Sequence, residues 1–324
     1  MINEKYLNRG WEAAVALFLL FLPVIVPELM VYFTIEIMIF ALFAISFNLV
    51  LSSLGMLPFG YAVFFGMGAY IAALMFNHIP GTPLAVVLLA GAVSGLLTAV
   101  LIGFFCVRLG SAYFALLTLA FQMFFFAVAM KWREVTNGDD GMGIDRSEIY
   151  LPGLGELSLK NIDNLYYIIL FVVVLGILAA YLFLKTPLGN SAMTMRENDE
   201  RASFLGYNVF LTKLTVFSFA GSLAGLAGGL YVLFQQFVAT TVIDVTMSFT
   251  VVVMVIIGGT GRFFGPILGV IFYMLFQDWL CDLTEYWRFY LGIVFIAVVL
   301  FLEGGLISLI NLDRVRLWLS GQES

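Results

Sequence analysis

Polar residues are confined to a few short stretches of the chain, and between them the sequence runs apolar for close to the ~20 residues that a membrane-crossing helix needs. This pattern predicts ten helical spans, at 12–30, 32–54, 58–76, 83–106, 112–131, 164–184, 213–236, 245–259, 264–281 and 286–303. The alternation of polarity over ~10 residues that marks a transmembrane β-strand is missing from these runs. The eighth run is short for a full crossing and reads as a span or as a re-entrant or broken element inside the bundle. Two polar segments are long enough to do more than turn: 132–163, rich in Gly and Asp, and 185–212, which opens on Thr186 and Pro187.

Composition agrees with a lipid solvent. Apolar residues make up 62% of the 324 and charged residues 11%, against about 45–50% and about 25% in a soluble domain. The fold class expected is all-α and polytopic, one transmembrane domain over 1–324. The net charge of −6 says little about partners, but the placement of basic residues is informative. An arrangement with both termini cytoplasmic puts Lys5, Arg9, Arg108, Lys185, Arg196, Arg201, Lys213, Arg262, Arg314 and Arg316 inside. It leaves Lys131, Arg133, Arg146, Lys160 and Arg288 outside, ten against five and in the sense of the positive-inside rule. Lys5 and Arg9 before an apolar stretch resemble a signal-peptide start. No small-residue cleavage site follows Leu22, so a retained first span is expected. Cys106 and Cys281 fall at opposite membrane faces, where no disulfide can join them.

The polar segment 185–212 carries a helix's punctuation over 198–205, with Asn198 as N-cap, Asp199 and Glu200 in the first turn and Gly206 at the end. Helical spacing puts Ala202 and Gly206 on one face that a partner's backbone can approach, with Arg196, Glu197 and Arg201 at its rim. The plainer reading is a solvated loop with one helical turn. The spacing of Glu200, Ala202 and Gly206 resembles the E-A-A-x-x-x-G pattern of ABC importer permeases, with Arg201 at the first alanine position.

The resemblance extends well beyond that segment. TPLGNSAMTMRENDERASFLGYNVFLTKLTVFSFAGSLAGLAGGLY at 186–231 is similar to the branched-chain amino acid ABC transporter permease family, specifically its LivM-type subunits. NLVLSSLGMLPFGYAVFFGMGAY at 48–70, RLGSAYFALLTLAF at 108–121, TNGDDG at 136–141 and VVVMVIIGGTGRFFGPILG at 251–269 are similar to the same family's motifs in the same order. The resemblance implies a permease subunit in the bacterial cytoplasmic membrane, importing branched-chain or other hydrophobic amino acids, with urea, short amides and aromatic acids as alternatives. It also implies a second permease in a heterodimer, two cytosolic ABC ATPases that use ATP and Mg, and an external substrate-binding protein. No cofactor on this chain and no nucleic-acid partner are expected. The chain departs from the family between its second and third spans, where Pro58 and Tyr61 stand in place of a serine and a histidine. If that segment lines the path, its hydrogen-bonding character has changed.

Within these motifs Gly60, Gly66 and Gly68, and the doubled G-x-x-x-G stripe Gly221, Gly225 and Gly229, read first as close helix packing and second as path lining. Asn48, Tyr61 and Thr118 share those two readings. Asn137, Asp139 and Asp140 form an acidic turn that docks the binding protein or is simply solvated. Glu36 stands well inside a span, with Glu28 and Glu303 near span ends, and is a candidate transport residue. The sole histidine, His78, reads as an outer-loop residue. The sequence offers no clustered metal ligands and no G-x-x-x-x-G-K-[ST] phosphate loop, so a catalytic or ATP-hydrolysing role for this chain is not expected. A stand-alone carrier or channel, and more remotely a membrane enzyme, are the competing readings.

Overall fold

A computed structural model describes residues 20–23, 26–79, 81–144, 161–197, 199–204, 206–260, 262–301 and 304–306. Eleven α-helices of 6 residues or more carry the architecture among these residues: α1 (Glu28–Leu54), α2 (Ala62–His78), α3 (Leu84–Cys106), α4 (Ser111–Lys131), α5 (Ile162–Lys185), α6 (Pro187–Glu197), α7 (Asp199–Phe204), α8 (Val209–Gln235), α9 (Val245–Gly258), α10 (Gly265–Leu283) and α11 (Trp287–Phe301). Six of them, α1, α3, α4, α5, α8 and α10, are long and apolar enough to cross a membrane, and α2, α9 and much of α11 form shorter apolar helices. Residues 12–19 and 24–25 of the first predicted span lie outside the described residues.

Several boundaries move for identifiable reasons. The break between the first two spans falls at 26–27, not at 31, because Pro27 (φ −58°) enters the helix without an N–H to satisfy and Glu28 suits the first turn. The third predicted span loses its start. Gly55 ends α1 in the left-handed region (φ 64°), and 55–61 stays out of regular helix until Ala62. α8 begins at Val209, four residues before the predicted 213, because the Asn208 side chain accepts the Leu211 N–H at 3.1 Å. In the polar segment a whole helix, α6, precedes the predicted one. Thr186 accepts the Gly189 N–H at 3.2 Å and Pro187 opens the first turn.

α1 and α8 are enclosed by the other helices, whereas α4 and α5 show most of their length to the surroundings. Their lipid-type faces carry Leu116, Phe124, Phe171 and Leu182. Glycine decides why α8 is central. A Cβ at Gly221 would meet that of Ala99, one at Gly225 the Gly91 carbonyl, and one at Gly68 the Gly225 carbonyl, so α2, α3 and α8 touch backbone to backbone.

The bundle has two distinct ends. At one, β1 (Met142–Gly143) pairs antiparallel with β2 (Phe237–Val238), and the Asn77 amide donates to the Gly143 carbonyl at 3.1 Å. This acidic-turn end gathers the C-termini of α2, α4 and α8. The opposite, helical-segment end holds α6 and α7, the C-termini of α1, α5 and α9, and Arg108 and Lys185 stacked on Phe210 and Tyr181 rings at 4.4 and 4.1 Å.

Candidate functional site

Two stretches of non-helical chain fold back into the bundle from opposite ends. From the helical-segment end, 55–61 climbs beside α4, and a methyl at Gly60 would strike the Thr118 carbonyl. From the acidic-turn end, 236–244 descends until the Ile243 side chain fills the space beside Gly66. Both stretches finish by starting a helix inside the molecule, α2 at Ala62 and α9 at Val245. The meeting point is deep. Gln122 lies there, eleven residues from the start of α4 and nine from its end, about 16 and about 13 Å along the axis.

A short chain of hydrogen bonds joins the two starts. The Ala62 N–H donates to Ser248 Oγ at 2.8 Å, Ser248 Oγ donates to Gln122 Oε1 at 2.9 Å, and Gln122 Nε2 donates to the Ile243 carbonyl at 2.6 Å. Gln122 and Ser248 are 0% and 1% exposed. Only one orientation of the amide satisfies every member, because a flipped Gln122 would set its oxygen against the Ile243 carbonyl. A backbone N–H freed at a helix start inside lipid has no water to turn to, so Ser248 meets a need that the break in the fold creates. Deleting one partner leaves a buried polar atom orphaned, at a cost of about 1–3 kcal/mol.

Beside this chain an open strip runs along the end of the descending stretch and the first turns of α9. Thr241, Thr246 and Phe249 are exposed and Asp244 is half-buried. Asp244 caps α9, its two oxygens accepting the Val245 N–H at 2.7 Å and the Thr246 hydroxyl at 2.8 Å. Phe249 packs on Phe59 with ring centroids 5.5 Å apart, tying the strip to the other re-entrant stretch.

The candidates from the sequence scatter around this centre. Tyr61 does not line an open path. It is fully buried among Phe43, Phe47 and Phe64 and its hydroxyl donates to Ser46 Oγ at 3.1 Å, while Pro58 is buried too. Thr118 accepts the Gly60 N–H at 3.4 Å. Asn48 is buried near the helical-segment end, its amide donating to the Arg262 carbonyl at 3.3 Å. Of the glycine stripe, Gly221 and Gly225 sit against backbone or Cβ atoms, but Gly229 has ordinary room, with its nearest side-chain atoms at 3.5 and 3.7 Å. Glu36 stands on α1, part-buried, away from the hydrogen-bonded centre. His78 is exposed at the end of α2, its Nδ1 3.1 Å from the Leu74 carbonyl oxygen.

At the acidic-turn end Asn137 is left-handed (φ 58°), and its amide donates to the Gly141 carbonyl at 2.7 Å, closing the turn. Asp139 and Asp140 are exposed, and Asp139 accepts the Thr240 hydroxyl at 3.1 Å. The acidic turn is therefore fastened to the descending stretch 236–244.

The polar segment needs a correction. Ala202 is 1% exposed, covered where α7 packs on α6 and α8, and Gly206 lies beyond the helix with φ 85° and nothing within 4 Å of its Cβ position. These two do not form a face open to a partner; the short helix turns Ala202 inward to hold itself on the bundle. What it presents instead is Phe204, 89% exposed. Arg196 reaches the end of α1, its guanidinium donating to the Ser52 carbonyl at 3.0 Å with its stem against Gly55. The side chains of Glu197, Asp199, Glu200 and Arg201 lie outside the described residues, as does Asn198.

Sequence reasoning missed Gln122, Ser248, Asp244 and Phe204. The short eighth run was the available signal for the first three, because a helix that starts inside the membrane must bring its own cap and partners. Asp244 immediately precedes that run.

The profile of the family described as branched-chain amino acid transport system, permease component, matches residues 29–299. The chain is similar to the high-affinity branched-chain amino acid transport system permease protein LivM of Salmonella typhimurium, 28% identical over 84% of this chain and 68% of that protein. LivM of Escherichia coli matches with the same identity and coverage. A probable branched-chain amino acid transport permease protein LivH of Methanocaldococcus jannaschii is 27% identical over 63% of this chain and 64% of its own length. No solved structure matches the chain.

Proposed function

Because the chain belongs to the branched-chain amino acid transport permease family, of LivM type, we propose that it forms one half of the membrane path of an ATP-driven importer of branched-chain or other hydrophobic amino acids. A second permease forms the other half, two cytosolic ATPases bind ATP and Mg, and an external binding protein delivers the cargo. The chain itself carries no cofactor and makes no bonds. The basic residues orient it in the bacterial cytoplasmic membrane, with Arg108, Lys185 and Arg196 toward the cytosol and both termini on that side.

The observation that carries this reading is Phe204. A large apolar side chain held bare at 89% exposure, on a short helix clamped to the bundle by the buried Ala202, is the shape of an anchor for a partner's pocket. It stands at the end that basic residues assign to the cytosol, where an ATPase docks. The departures at Pro58 and Tyr61 carry no weight for a different cargo, because both side chains are enclosed.

The test is ATP-dependent leucine uptake into proteoliposomes holding both permeases and both ATPases, with loaded binding protein supplied. Uptake is expected to require the ATPases, and Phe204→Ala is expected to lower it by about tenfold or more, as loss of an interface anchor does. Uptake that persists without the ATPases would mean a stand-alone carrier.

A further inference from the structure

The two ends of the molecule are joined through the buried hydrogen-bonded centre by short, stiff connections. From the helical-segment end, Arg196 holds the Ser52 carbonyl and lies on Gly55, and only 55–61, stiffened by Pro58, separates that contact from Ala62. From the acidic-turn end, Asp139 holds Thr240, and β1 is zipped to β2 with the Ile144 N–H also donating to the Gln236 carbonyl at 2.9 Å. One 3-10 turn then leads to the Ile243 carbonyl. Both routes end on Gln122 and Ser248.

We infer that Gln122 and Ser248 are the coupling residues of transport, the joint through which a displacement of the polar segment 187–204 reaches the acidic turn 136–141 and the reverse. The physical ground is a shared set of hydrogen-bond partners. Two helix starts share one serine and one amide, so neither start can move alone without stranding a buried donor or acceptor. The two re-entrant stretches therefore shift together or stay together. The open strip of Thr241, Asp244 and Thr246 spans the descending stretch and the start of α9, so its exposure changes with the joint. Gln122 and Ser248 act by position, not by touching cargo, since both are fully enclosed. As a statement about transport this rests on the importer reading above; as a statement about the joint it does not.

Hydrogen–deuterium exchange on the full chain in lipid nanodiscs separates the two. Gln122→Met keeps the length and volume of the side chain but removes the hydrogen bonds. Exchange is expected to rise about tenfold at both 59–62 and 242–246 in this one variant, with α3 and α8 unchanged. A rise on one side only, a rise throughout the bundle, or no change would overturn the joint.

In the reconstituted transporter Gln122→Met and Ser248→Ala are expected to keep basal ATP hydrolysis within about twofold of the parent while losing its stimulation by loaded binding protein, with Ser248→Thr restoring it. Basal and stimulated rates that fall in parallel, or stimulation that survives, would overturn the coupling role. If the parent chain itself shows no ATP-driven uptake, the importer reading fails, and the exchange experiment still decides the joint.

Discussion

At Gly225 a methyl group would run into the Gly91 carbonyl and the backbone of Gly95, whereas four residues on, at Gly229, it would meet only side-chain atoms at 3.5 and 3.7 Å. The same stripe thus contains one position where backbone meets backbone and one with room to spare. Gly225→Ala is expected to destabilise the protein by about 1–3 kcal/mol through overpacking. Gly229→Ala is expected to cost nothing, or to stabilise slightly through the unfolded chain. Thermal unfolding of the two purified variants in one detergent measures the contrast, and equal midpoints would show that the stripe is not the contact that seats α8. Repetition of glycine every fourth residue was legible in the sequence, but which members bear the contact was not, because that depends on where α3 crosses α8.

The element most exposed to a single change is α9. Its 14 residues span about 21 Å, well short of a bilayer's ~30 Å core, so its first turn lies where no water can satisfy free N–H groups. Asp244 supplies one cap and the neighbouring Ser248 serves a different helix. Asp244→Ala is therefore expected to lower stability by about 1 kcal/mol, and Asp244→Asn, which keeps a capping oxygen, by little. Denaturant midpoints of the two variants test this; a larger loss for Asn than for Ala would show that the carboxylate's charge, not its cap, matters there. Caps elsewhere were readable in part. Asn208 before α8 and Thr186 with Pro187 before α6 are ordinary start signals, yet the polarity around α6 hid a helix that only packing against α1, α5 and α8 stabilises.

For the molecule as a whole, the consequence that matters most is sidedness. With Cys281 changed to serine, Asp140→Cys is expected to react with a membrane-impermeant maleimide on intact spheroplasts, and Phe204→Cys only after permeabilisation; the reverse result would invert the orientation drawn from the basic residues. Both positions are exposed, and Cys106 is buried and silent. Composition and apolar run length by themselves determined that this is a helical membrane protein, because a chain with so few charges cannot cover a water-facing surface and must satisfy its backbone within each helix. Motif order determined its family. Which helices are enclosed was undecided at that level: α1 and α5 are both apolar along most of their length, and lipid offers little contrast with protein for an apolar face to read. Only the tertiary structure decided that α1 and α8 lie inside, that 55–61 and 236–244 return into the bundle, and that Gln122 meets Ser248 across 126 residues of chain. A hydrogen bond between residues so far apart leaves no period or spacing in the sequence, since it exists only where two broken helices are brought to one depth.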